Sequence, residues 1–124
     1  MNVVDSSAWL EYFADGPNAD VFAPPIENVD ELIVPTICMY EVFKLVLRQR
    51  GESDALSAVA LMRQGHVIDC TERIALAAAD LSLQTKLPMA DSIILATARL
   101  NAAHIWTQDA DFDGLEGVTF ISKE

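Results

Sequence analysis

Four acidic residues stand where an acid interrupts or closes an apolar pattern. Asp5 ends the run NVVD, Glu41 breaks ICMYEVFKLV, Asp91 opens MADSIILATARL, and Asp109 follows HIWTQ at the start of DADFDG. Carboxylates brought together repel one another and resist joint ionisation. A hard divalent cation removes that conflict, because carboxylate and water oxygens suit Mg2+ or Mn2+. Such an ion polarises a phosphoryl group and lowers the pKa of water. The chemistry open to the four acids is therefore metal-assisted attack on a phosphoester, provided the fold brings them together.

Each acid also has a plainer reading. Asp5 could cap the helix that begins near Ser6. Asp91 lies in a first helical turn, where it complements the helix dipole. Asp109 could form an Asx turn. Glu41 could be a solvated helix position paired with Lys44 and Arg48, three and seven residues further on. Apolar neighbours on both sides of Glu41 argue instead for a largely buried helix with an acid at a cleft. DADFDG also matches the start of a calcium loop, with Asp109, Asp111, Asp113 and Gly114 at positions one, three, five and six. The twelfth position is Phe120, inside a strand-like stretch, and HIWTQ reads as a strand rather than an entering helix. A calcium loop is excluded; Asp109 is the strand-end acid, Asp111 an auxiliary and Asp113 a turn residue.

The elements that must position these residues alternate along the chain. NVVD, ELIVP, HVIDC, HIWTQ and VTFIS are short apolar strands. Between them lie helical stretches: SSAWLEYFAD capped by Ser6 or Ser7, ICMYEVFKLVLRQR capped by Thr36 and stopped by Gly51, and a helix from Ser53 to about Gln64. ERIALAAADLSLQTK follows a Thr71 cap, and MADSIILATARLNA follows Pro88. Residues 18–29 form a weak helix that Pro24 and Pro25 should interrupt. Alternating strands and helices predict an α/β fold with a mostly parallel sheet of about five strands and helices on both faces. In such sheets chemistry collects at the carboxyl ends of strands, beside the switch in strand order. Asp5 and Asp109 are expected there.

Composition narrows the class. With 124 residues, 52% of them apolar, the sequence reads as one domain, residues 1–124, able to bury a core. No stretch is long and apolar enough to span a membrane, and the acidic start MNVVDSSAWLEYF lacks the basic region of a signal peptide. Cys38 and Cys70 share no metal-type spacing with each other or with His66 and His104, so free thiols in the cytoplasm are expected. The net charge of −11 draws no polyanion by its overall field, so a nucleic acid would need a bridging cation or a local basic patch.

In their order and spacing, NVVDSSAWLEYF, VPTICMYEVFKLV, LPMADSIILATARL and IWTQDADF resemble the PIN-domain ribonucleases, and among them the VapC toxins of VapBC toxin–antitoxin systems. The resemblance runs from Met1 nearly to the C-terminus. It implies a three-layer α/β/α fold with sheet order 3-2-1-4-5, and an acidic quartet of Asp5, Glu41, Asp91 and Asp109. It also implies Mg2+- or Mn2+-dependent RNA cleavage, a homodimer and a small VapB-like antitoxin. Asp5, Asp91 and Asp109 would hold the metal, and Glu41 would complete the shell or deprotonate the attacking water, with in-line attack at phosphorus. Thr107 matches a family hydroxyl position near the metal, and Ser6 a small polar residue beside the first acid. RNA contacts fall to Lys44, Arg48, Arg50 and Arg99. Part of the face made by Trp9, Tyr12 and Phe13 would meet the antitoxin in an apolar groove, the remainder being core. The paired prolines depart from the family's unbroken second helix. Two rivals remain: a phosphatase with a nucleophilic aspartate, disfavoured because position 7 is serine, and a catalytically weak PIN-like module that acts by assembly.

Overall fold

A computed structural model describes residues 1–123. Five strands form one sheet: β1 (Asn2–Val4), β2 (Leu32–Pro35), β3 (His66–Ile68), β4 (His104–Thr107) and β5 (Val118–Phe120). All four pairings are parallel, and the order is β3-β2-β1-β4-β5. Six helices connect them: α1 (Ser6–Phe13), α2 (Ala19–Glu27), α3 (Thr36–Arg50), α4 (Glu52–Met62), α5 (Glu72–Thr85) and α6 (Met89–Leu100). The chain steps outward from β1 through β2 to β3, then crosses back to β4 on the far side of β1. Right-handed crossovers put α1 to α4 over one face and α5 and α6 over the other. The core runs through both layers: Val3, Val4 and Val34 from the strands, Trp9, Phe22 and Val42 from one side, Ile94 and Leu95 from the other.

Three local expectations are corrected. α2 is continuous through Pro24 and Pro25. The prolines fall late in a nine-residue helix, and the carbonyls that lose amide partners belong to Asp20 and Val21, which are exposed and open to water. Helix starts also differ. Of the caps open to α1, Asp5 rather than Ser6 or Ser7 takes the place and accepts from the Ser7 amide; Pro35 rather than Thr36 precedes α3; and Gly51 rather than Ser53 precedes α4. Thr71 caps α5 as expected, its hydroxyl accepting from the Ile74 amide at 3.2 Å. Finally, α3 is not largely buried. It buries a narrow stripe at Cys38, Val42 and Val46, while Tyr40 and Leu47 are exposed. Among the described residues no helix is long and apolar enough to cross a membrane.

Candidate active site

Strand order reverses beside β1, whose two neighbours, β2 and β4, lead the chain in opposite directions. Val4 is in register with Trp106, and the Asp5 amide bonds the Trp106 carbonyl at 2.9 Å. Asp5 and Asp109 therefore leave neighbouring strands at the same edge. α6 starts beside them, with Asp91 in its first turn, and α3 brings Glu41.

Asp5 is buried, and three hydrogen bonds converge on its Oδ2. The Ser7 hydroxyl donates at 2.7 Å, the Thr107 hydroxyl at 2.8 Å and the Ser7 amide at 3.4 Å. Glu41 is half-buried, and its Oε1 accepts from the Ser6 hydroxyl at 2.6 Å. Asp109 caps a short helical turn, Ala110–Phe112, its Oδ1 accepting from the Asp111 amide at 2.9 Å. Phe112, fully buried, anchors that turn. One carboxyl oxygen from each of Asp91, Asp109 and Asp111 lies within 4.8 Å of the others.

Burial and mutual repulsion both act on this cluster. Burial raises the Asp5 carboxyl above its ordinary value, opposed by the Ser7 and Thr107 hydroxyls, and the Asp109 charge adds to the rise. Burial also raises Glu41, with the charges of Asp5 and Asp109 behind it. Asp91 is pushed up to about 7, by burial first and then by Asp5, Asp109, Glu41 and Asp111. All five carboxylates thus share one pocket of negative potential. The carboxylates are all hard oxygen donors, a set that fits Mg2+ or Mn2+.

The other residues singled out in the sequence are dispersed. Lys44 sits one turn beyond Glu41, its Nζ over the Tyr40 ring at 5.6 Å from the centroid. Arg48 is exposed on the next turn. Among the described residues neither they nor Arg99 form an ion pair, whereas Arg50 pairs with Asp54 at 3.6 Å. Arg99 lies in the last turn of α6, roughly 12 Å along the helix from Asp91. Trp9 is core, stacked on Phe13 with ring centroids 5.6 Å apart, and Tyr12 donates to Glu27 at 2.9 Å. Of the three aromatics only Phe13 lines an open groove of about 1040 Å³ that Leu10, Leu45, Val46 and Leu61 also line. Polar residues line it too, among them Ser7, Gln108, Glu11, Arg50 and Asp54. His66 and His104 bond the Asp30 carbonyl and the Thr119 hydroxyl, away from the acids.

Sequence reasoning passed over Ser7, Gln108 and Asn18. Ser7 reads as one of two interchangeable helix-start serines. The Asn18 side chain, buried, donates to the Gln108 side chain at 3.1 Å and to the Ser122 carbonyl at 3.0 Å, joining residues ninety and more positions apart.

Comparison with known proteins bears on this arrangement. The family model of the PIN domain matches residues 3–118. No curated protein sequence matches the chain. Among solved structures, a toxin–antitoxin complex from Klebsiella pneumoniae aligns over 100% of both chains with TM-score 0.83 at 23% identity. VapC20 of Mycobacterium tuberculosis, a toxin that cleaves the sarcin-ricin loop, aligns over 95% of this chain and 97% of its own, with TM-score 0.77 at 16% identity. DNA-bound VapBC from Salmonella typhimurium aligns over 98% of both chains, with TM-score 0.78 at 13% identity.

Proposed function

The chain belongs to the PIN-domain family, and on that premise we propose that it is a divalent-metal-dependent endoribonuclease, the toxin of a toxin–antitoxin pair. The observation that carries the reading is the gathering of Asp5, Glu41, Asp91 and Asp109 at the switch point of the sheet, each with a carboxyl raised by burial or lying close to one that is. The solved neighbours include toxin–antitoxin complexes and one toxin that cleaves the sarcin-ricin loop, which favours this reading over a phosphatase.

Asp91, Asp109 and Asp111 already bring carboxyl oxygens within 4.8 Å of one another, and by the family pattern Asp5, Asp91 and Asp109 would hold Mg2+ or Mn2+, with Asp111 assisting. The bound ion supplies positive charge for the phosphoryl oxygens and acidifies water. It also neutralises a pocket that a chain of net charge −11 would otherwise present to RNA. Glu41 takes the proton of the attacking water: Ser6 occupies its Oε1 and leaves Oε2 for that role. Lys44 and Arg48, exposed and without ion pairs among the described residues, steer the phosphate backbone from the α3 side. The apolar groove suits an amphipathic helix of the antitoxin, with Phe13 in its wall. The chain acts in the cytoplasm as a homodimer, for which exposed Leu76, Leu83 and Met89 supply apolar surface.

The test is incubation of purified protein with structured and single-stranded RNA, with and without Mn2+. Cleavage should need the ion and should fall at least about 100-fold in Asp5→Asn and Asp91→Asn. Cleavage that survives both substitutions would refute the reading.

A further inference from the structure

We infer, resting on the nuclease reading above, that Ser7 is a positioning residue for Asp5: its hydroxyl holds Oδ2 turned inward and leaves Oδ1 as the oxygen offered to a divalent cation. The Ser7 Oγ lies 2.7 Å from Asp5 Oδ2, and the Thr107 Oγ1 lies 2.8 Å from the same atom. Behind them, the Gln108 amide donates to Ser7 Oγ at 3.2 Å and the Asp109 amide donates to Thr107 Oγ1 at 2.9 Å. An amide N–H can only donate, and a hydroxyl has a single proton. Each hydroxyl therefore accepts on its amide side and directs its proton to Asp5. The 3.3 Å separation of Ser7 Oγ and Thr107 Oγ1 is then the approach of two donors to one acceptor, with no proton between them.

The relay begins at two consecutive amides where β4 ends, so the sheet itself sets the rotation of the carboxylate. Asn18 steadies the far side by holding the Gln108 side chain. The adjacent serines divide the work, because Ser6 points instead to Glu41. Hydrogen bonds that orient a metal-binding carboxylate typically carry 10- to 100-fold in metal affinity.

Calorimetric titration of the full chain with Mn2+ tests this, alongside thermal unfolding of each metal-free protein. Ser7→Ala and Ser7→Cys, the latter keeping size but donating weakly, should bind Mn2+ at least about tenfold more weakly with metal-free unfolding close to that of the parent. Ser7→Thr restores the donor and should bind within about threefold of the parent. Parental affinity in Ser7→Ala and Ser7→Cys would overturn the inference alone, as would failure of Ser7→Thr to recover binding. A parent protein that takes up no Mn2+ would remove the nuclease reading and this inference together.

Discussion

Asp91 feels every other acid of the cluster, its carboxyl pushed up to about 7 by burial and by those surrounding charges. A carboxyl raised in the folded state binds its proton more tightly there than in the unfolded chain. Between the unfolded value near 4 and the folded value near 7, the native state therefore holds more protons, and stability falls as pH rises through that window. Asp5 and Glu41 shift in the same direction. Thermal midpoints of the metal-free protein should accordingly decline from pH 5 to pH 8, Mn2+ should reverse the decline at pH 8, and Asp91→Asn should flatten it. A midpoint rising over that range would contradict the account. The four acids stood out in the sequence because each interrupts or borders an apolar pattern, and the family resemblance joined them into one set. Ser7, Gln108 and Asn18 could not, because a polar residue at a helix start or loop looks the same whether it faces water or a carboxylate a hundred positions away.

Helices and strands were legible where the pattern is local. Five apolar runs became five strands, and Thr71 caps α5 because side chain, amide and turn all lie within four residues. Helix starts were less so: Asp5 displaces two serines as cap because the register with β4 fixes where β1 must end. Pro24 and Pro25 were misread as a break, since whether a proline stops a helix depends on whether its orphaned carbonyls reach water. The burial of α3 was overestimated because its apolar residues wrap around the helix, and only one stripe meets the core. Gly65, in the link from α4 to β3, is another residue whose role is tertiary. A Cβ there would come within 2.9 Å of the Leu32 carbonyl and 3.0 Å of Val34 Cγ2. Gly65→Ala should push β3 from β2 and destabilise the fold by about 1–3 kcal/mol, read as a lower urea midpoint. An unchanged midpoint would show that the edge strand yields freely.

Across the whole molecule, topology does what no segment does alone. The reversal of strand order beside β1 opens a crevice, and right-handed crossovers bring α3 and α6 to the same edge with Glu41 and Asp91. The sheet order itself was expected from the resemblance rather than from any apolar run, since strand adjacency is a long-range property. The same architecture sets the electrostatic problem: a chain of net charge −11 concentrates five carboxylates in one pocket. Such a pocket persists at neutral pH by holding protons or by holding a cation, and the account rests on the second. Anomalous diffraction from crystals grown with Mn2+ tests it most directly. The account predicts a manganese peak bounded by Asp5, Asp91 and Asp109; no peak there, or manganese bound only elsewhere, would contradict it.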